Sequence, residues 1–517
     1  MPDPVGLDLY IPFGFALNIA MKIRSLFSIF VVLLSSTLAR AEKPNVIFIL
    51  ADDLGYRELG CYGQEKIKTP RIDQLAREGM RFTRAYSGNA VCGPSRCVLM
   101  TGKHPGNATV RDNRSMEPEG QYPLFAADVT IAELLKGQGY TCGSFGKWGL
   151  GNVWSDGNPN RQGFDRFFGY NCQAHAHSYY PETLWSDGEK VPLKNNPVIP
   201  GHAAFAPGSD PADPKSYEIF KGTDYAPDRI NEQALAFLRE NRGKPFFLYY
   251  PSILPHVALQ VPDKDLEPYL AEKWNDPPFT RNEGRGYTPH FTPRAAYAAM
   301  ITQLDTYVGK VLDLVEELGL TENTIVVFAS DNGTTHLKEE VDYDFFASVG
   351  ELRGLKGELY EGGIRVPQIV KWPGKIEAGS VTEEVTGFED WMPTLLELVG
   401  SNGGTPQNID GRSFASTLLG KSQEPREFLY REFPSYGGQQ AVWLGKQWKG
   451  IRTNLMKKKG SPSLAVQLYD LEADPSESKD VAAEHPEIVS RIESLMKTER
   501  TVSKDFPFPA LDAITSK

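Results

Sequence analysis

Cysteine, histidine and surplus positive charge are all scarce in this 517-residue chain, which has five cysteines and eight histidines. So few cysteines exclude a disulfide framework, and their odd number leaves at least one thiol needing another explanation. Lysine plus arginine total 55 against 66 for aspartate plus glutamate, a formal charge of -11. That balance excludes nucleic acid as a partner, and an anionic ligand would need locally gathered positive charge. There is no internal repeat, and 40% hydrophobic with 23% charged residues excludes disorder, collagen and coiled coil. Long apolar runs are missing too. Leu26 to Leu34 is far shorter than the about 20 residues of a membrane span, and no later segment supplies one.

What is present begins with an address. Lys22 and Arg24, the apolar run and Ala39-Arg40-Ala41 before Glu42 read as a secretory signal peptide over residues 21–41. Residues 1–20 read as an upstream extension, because the charged region of the signal begins at Met21. The mature protein is expected to start near Glu42 and to work outside the cytoplasm, periplasmic or secreted.

From Pro44, short apolar runs alternate with helical patterns, which predicts an α/β fold with a mainly parallel sheet sandwiched by helices. Strands are expected at Val46–Leu50, Tyr140–Phe145, Pro245–Tyr250, Thr324–Ala329 and Arg365–Val370. Helices are expected at Ile72–Glu78, Thr130–Lys136, Asp228–Asn241 and Pro293–Leu318. Val153 to Thr223, rich in Pro, Gly, Asn, Tyr and His, reads as loop or insertion. A smaller C-terminal α/β part with an antiparallel sheet is expected over residues 427–517, after a catalytic part over 42–426. Phe428–Arg431, Ala441–Leu444 and Trp448–Arg452 read as its short strands, and Pro486–Thr498 as its helix.

Ligands of open parallel sheets bind beyond the carboxyl ends of the strands. Asp52-Asp53 follows the first strand, Lys147 the second, His256 the third and Asp331-Asn332 the fourth, while Lys356 precedes the fifth. Each alone is an ordinary turn or structural residue. Together, three carboxylates and an amide oxygen suit a hard cation, and two lysines and a histidine suit an anion beside it. Cys92, in Val91-Cys92-Gly93-Pro94-Ser95-Arg96, stands at a predicted helix start close to Arg96. Both features lower a thiol pKa, so Cys92 reads as an activated nucleophile or, alternatively, as a packed thiol.

The segments Asn45–Gly55 (NVIFILADDLG), Cys92–Gly102 (CGPSRCVLMTG), Ser330–Gly333, Leu352–Pro367 and Leu468–Glu477 resemble the sulfatase family, within the alkaline-phosphatase-like superfamily, from Pro44 to about Thr498. The resemblance implies that Cys92 is oxidised to formylglycine by a maturation enzyme. It also implies that Asp52, Asp53, Asp331 and Asn332, with residue 92, hold one Ca2+. Arg96, Lys147 and Lys356 then correspond to residues that hold the modified side chain and the sulfate, and His256 to the proton donor, a role Lys356 could share. The implied function is hydrolysis of an aryl sulfate or, through its bacterial arylsulfatase-like members, a sulfated saccharide. A phosphate or phosphonate monoester hydrolase and an inactive carbohydrate-binding homologue are the alternatives.

One position departs from the pattern. Where the family reads G-K-W-H-L-G, this chain has Gly146-Lys147-Trp148-Gly149-Leu150-Gly151. His175 or His177 is expected to fill the vacancy, or else to contact substrate or pack. Tyr179, Tyr180 and Trp185 are candidates for stacking on a sugar ring. The motifs at Asn107, Asn113 and Asn332 fit the N-glycosylation pattern, although Asn332 is also a proposed metal ligand. Cys61, Cys97, Cys142 and Cys172 read as packed thiols with room for one disulfide. Lys457-Lys458-Lys459 reads as a solvated turn or a contact to an anionic polymer.

Overall fold

Asn45–Ala51 (β1) is apolar at every position but its first, the pattern of a strand covered on both faces. Its alternate side chains divide accordingly: Ile47, Ile49 and Ala51 join one apolar cluster, and Val46, Phe48 and Leu50 another. Helices Ala226–Asn241 and Pro293–Glu317 contribute to the first layer, and Cys92–Thr101, Ile131–Gly137 and Trp391–Leu398 to the second. This three-layer arrangement is seen in a computed structural model. It describes residues 1–2, 6, 43–117, 119–280, 286–401, 403–456 and 462–515. The expected signal peptide and Lys457–Lys459 lie outside the described residues. No described helix is long and apolar enough to cross a membrane.

The further strands of the large sheet are β2 (Met80–Phe82), β4 (Thr141–Lys147), β5 (Arg166–Tyr170), β6 (Thr183–Ser186), β7 (Glu189–Pro192), β8 (Phe246–Pro251), β9 (Thr324–Ser330), β10 (Gln368–Lys371) and β11 (Ser380–Thr382). A short pair, β3 (Ala85–Tyr86) and β12 (Thr386–Gly387), stands apart. The order of the ten strands is β11-β2-β10-β9-β1-β8-β4-β5-β6-β7. The run β9-β1-β8-β4-β5 is parallel throughout. Its strands therefore all deliver their carboxyl ends to one edge, with Leu50 opposite Pro251 and Ala51 opposite Ser330.

The predicted fifth strand forms as β10, antiparallel to β9, in keeping with a mixed, mainly parallel sheet. One expectation needs correction. The span read as loop holds three strands. β5 pairs with β4, and β6 and β7 form a hairpin through Asp187-Gly188, whose φ values of 47° and 93° fit a type I′ turn.

The smaller sheet, β13 (Phe428–Phe433), β14 (Gln439–Leu444), β15 (Trp448–Arg452) and β16 (Gln467–Asp470), is antiparallel and carries the helix Pro486–Thr498 on one face. Its other face packs Leu429, Phe433 and Trp443 against Tyr86, Val91 and Ile364 of the large part. Pro44–Lys517 forms one compact unit.

Candidate active site

The strand ends converge on a single buried pocket. After β1 the chain turns sharply at Asp53, which takes a left-handed φ of 63°, a conformation aspartate tolerates better than most residues. Asp52 donates its backbone N–H to the Leu254 carbonyl, and Asp331 donates its own to Ala51, so the three loops are laced together. Glu58 braces them from behind. Its carboxylate accepts from the Gly55 N–H at 2.6 Å, the Tyr297 hydroxyl at 2.8 Å and the Thr334 hydroxyl at 3.0 Å. Burial drives Glu58 up to about 7 against those hydrogen bonds.

Cys92 is the first residue of the Cys92–Thr101 helix, with Val91 extended at the cap, and its thiol lies at the positive end of the helix dipole. Every residue of that helix is buried, and Cys92 is 2% exposed. The Lys147 ammonium at the end of β4 lies 2.6 Å from Asp52 Oδ2 and 3.5 Å from Cys92 Sγ. Arg96 donates through Nε and Nη2 to Asp331 Oδ2, at 3.0 and 2.8 Å, and also to the Lys147 carbonyl. Lys356 Nζ reaches Asp53 Oδ2 at 2.7 Å, and His256 Nε2 lies 3.5 Å from that same oxygen. Asn332 donates its amide to Asp53 Oδ1 at 2.8 Å.

Three carboxylates thus face three basic side chains, and the formal sum is zero. Burial opposes ionisation of Asp52, but Lys147, Arg96 and Lys356 outweigh it and hold its carboxyl well below the usual range. Burial, reinforced by Asp52, pushes Asp331 upward against Arg96, as expected for carboxylates that share one site. Burial also works against the Lys356 charge, yet Asp53 keeps it firmly protonated. Burial and then Lys356 hold the His256 imidazole well below its ordinary value, so it is neutral here.

The pocket fits a hard cation on one further observation. Asp52 Oδ1 and Asn332 Oδ1 are buried acceptors with no hydrogen-bond partner. Buried oxygens are normally satisfied. Asp52, Cys92 and Asp331 also each present a ligand atom within 4.8 Å of the others, as do Asp52, Asp53 and His256.

All of the strand-end residues singled out from the sequence therefore meet, whereas neither His175 nor His177 fills the space beside Gly149. His175 is turned away, with Nδ1 3.2 Å from Glu119 and its ring edge-on to Tyr170. His177 stacks on the His256 ring at 4.9 Å and shares a 3.0 Å contact with His202. The space beside Gly149 belongs to Gln173: a Cβ on residue 149 would stand 2.3 Å from Gln173 Nε2. The physical reason is chain direction, since the segment after β5 brings Asn171 and Gln173 past Gly149 before the histidines begin, and Gly149 N–H donates to the Asn171 carbonyl.

The aromatic candidates are also corrected. Tyr179, Tyr180 and Trp185 are 0%, 4% and 4% exposed and offer no face to a sugar. Tyr179 instead donates its hydroxyl to the Ile253 and His256 carbonyls at 2.7 and 2.6 Å, fixing the loop that carries His256. The sequence reading missed Gln173, Asn113 and Tyr287. Asn113 Nδ2 approaches Cys92 Sγ at 3.5 Å, and Tyr287 lies edge-on to His177 and His256. Only the vacancy at Gly149 hinted at any of them. All five cysteines are free thiols, and Asn332 is fully buried, which removes it as a glycosylation site.

A family model described as Sulfatase matches residues 44–401, and one described as N-sulphoglucosamine sulphohydrolase, C-terminal, matches residues 355–502. The N-acetylgalactosamine-6-O-sulfatase of Bacteroides thetaiotaomicron is 31% identical over 89% of this chain and 94% of its own. Arylsulfatase A of Homo sapiens is 32% identical over 89% of each. Among solved structures, Ps i-CgsB in complex with k-i-k-neocarrahexaose superposes with a TM-score of 0.71 at 25% identity, covering 92% of this chain and 97% of that one. With the strand-end pocket, the two sheets and these matches all in agreement, the chain belongs to the sulfatase family and is one of its enzymes.

Proposed function

We propose that the protein is exported and removes sulfate from a sulfated saccharide, ROSO3⁻ and water giving ROH and hydrogen sulfate, with residue 92 acting as a formylglycine hydrate beside Ca2+. The observation that carries this reading is the meeting of Cys92, three carboxylates with orphaned oxygens nearby and three fixed cations in one buried pocket. Asp52, Asp53, Asp331 and Asn332 are the side chains that would hold the ion. When bound, it would supply two positive charges that polarise the sulfate oxygens and ease ionisation of the hydrate.

Cys92 Sγ stands in for one oxygen of that hydrate. Lys147, at 3.5 Å from it, orients the group and faces the incoming sulfate. Charge spreads over the sulfate oxygens as the S–O bond breaks, so preorganised cations at Lys147, Lys356 and Arg96 stabilise the transition state more than the ground state. His256 contacts the Val257 carbonyl through Nδ1, which leaves Nε2 as the nitrogen that faces the site; the neutral ring must first take up a proton there, as imidazolium, before it can pass one to the leaving oxygen. A sugar alkoxide is a poor leaving group, so that proton matters more for a saccharide than for an aryl sulfate.

The saccharide class is supported by the named activity of the Bacteroides relative and by the oligosaccharide bound to the solved neighbour. The test combines intact mass of the peptide spanning residue 92 with side-by-side turnover of sulfate and phosphate esters. An aldehyde mass with preference for sulfate is expected. An unprocessed thiol with no turnover would favour an inactive binding homologue, and preference for phosphate would overturn the assignment.

A further inference from the structure

The notch at Gly149 is not empty space but the seat of a carboxamide. Gln173 is 5% exposed, and its Oε1 lies 3.2 Å from Cys92 Sγ, positioned to accept from the group at residue 92. Its Nε2 is buried and has no hydrogen-bond partner. The residue is held in place by its own N–H, which donates to Gln121 Oε1 at 3.4 Å, and by the Trp148 and Gly149 N–H groups, which bond to Tyr170 and Asn171 just before it. On the other side of the sulfur, Asn113 accepts from the Gly93 N–H at 2.9 Å and directs its Nδ2 at Sγ.

We infer that Gln173 is the hydrogen-bonding partner that orients the reacting group at residue 92, and that Gly149 and Gln173 form one unit in which the absence of a side chain at 149 admits the amide of 173. The inference rests on the function proposed above. A hydroxyl in the position of Sγ would donate to Gln173 Oε1 and accept from Lys147, which has only donors to offer. Its O–H vector is then fixed, with the lone pairs on the side of the lysine. Gln173 Nε2, still lacking an acceptor, is a second donor for an oxygen on the same carbon or on the bound sulfate. An amide neither gains nor loses a proton in the working range, so this wall orients without titrating.

The test compares the wild type with Gln173→Ala, Gln173→Met and the pair Gly149→His alone and with Gln173→Ala. Methionine fills the space without the hydrogen bonds. Both single variants at 173 are expected to fold and to carry the aldehyde by intact mass, yet to lose about 10- to 100-fold in kcat with KM within about twofold. Their aldehyde should also label faster with an aminooxy probe, because the hydrate has lost an acceptor. Gly149→His alone should be crippled by the clash with Gln173, and removal of Gln173 in the same chain should restore part of the turnover.

Wild-type kcat and labelling in Gln173→Met would reduce Gln173 to a space-filler and overturn the inference. If the wild type carries the aldehyde but cleaves no sulfate ester, the proposed function fails, while labelling rates still judge Gln173.

Discussion

Two of this protein's buried clusters of opposite charge, compared side by side, are built to different standards. In the cluster that fastens the small sheet to the large part, Arg431 grips Glu389 with two parallel hydrogen bonds of 2.9 Å, while its Nε donates to the Ser87 carbonyl. The neighbouring Asp390 accepts from the Gly387 and Arg412 N–H groups and from Arg426. No side-chain atom of Arg431, Glu389, Asp390 or Arg426 is left unpartnered. In the cluster at the strand ends, Asp52 Oδ1 and Asn332 Oδ1 have nothing to accept from. The closed cluster has finished its hydrogen bonding within the chain and is fit only to hold it together. The open one has capacity left over for something from outside.

The largest effect expected from this contrast is on turnover. Cys92→Ala removes an uncharged atom from the open cluster, and sulfate release should fall about 10,000-fold or more while the melting temperature hardly moves. Comparable loss of both would erase the distinction. Arg431→Met should do the reverse, leaving Glu389 buried and unpaired at about 3–5 kcal/mol in a denaturant titration, with kcat of the folded fraction nearly intact. Removing divalent ions with a chelator should then lower wild-type stability by about 3 kcal/mol relative to calcium at a hundredfold above its dissociation constant. Calcium should stabilise Asn332→Ala far less, and equal stabilisation of both would place the ion elsewhere.

The smallest effect concerns Glu58, whose hydrogen bonds are all to neutral donors. Its folded value of about 7 lies above the ordinary 4.5, so the folded state holds the proton more tightly. That contribution to stability is full below about 4.5 and is lost as pH rises through about 7. Glu58→Gln should flatten this decline by about 2 kcal/mol between pH 5 and 8, measured by melting at each pH. An unchanged slope would mean that Glu58 is ionised throughout.

The open cluster was readable from sequence because Asp52, Asp53, Lys147, Asp331 and Asn332 end or directly follow strands that announce themselves. NVIFILA before Asp52 and TIVVFAS before Asp331 are apolar except at their ends, and the parallel pairing of their strands brings the residues after them together. Arg166–Tyr170 announced nothing, since five residues containing a glycine give too little pattern, yet it becomes the fifth parallel strand. The Asp187-Gly188 turn was a usable signal that the Pro- and Gly-rich surroundings hid. Gln173 had no local signature at all. Its role depends on two irregular segments running side by side, which no periodicity encodes. The aromatic residues misled for a related reason: composition cannot distinguish a ring that lines a cleft from one that braces the loop behind it.

The near-total burial of Cys92, on a helix with no exposed position, sets an order of events in time. If a second protein must oxidise this thiol, it needs the surrounding peptide in its grasp, and the finished fold offers no such handle. Conversion would therefore have to precede folding, so that a molecule which folds too early stays inert for its whole lifetime.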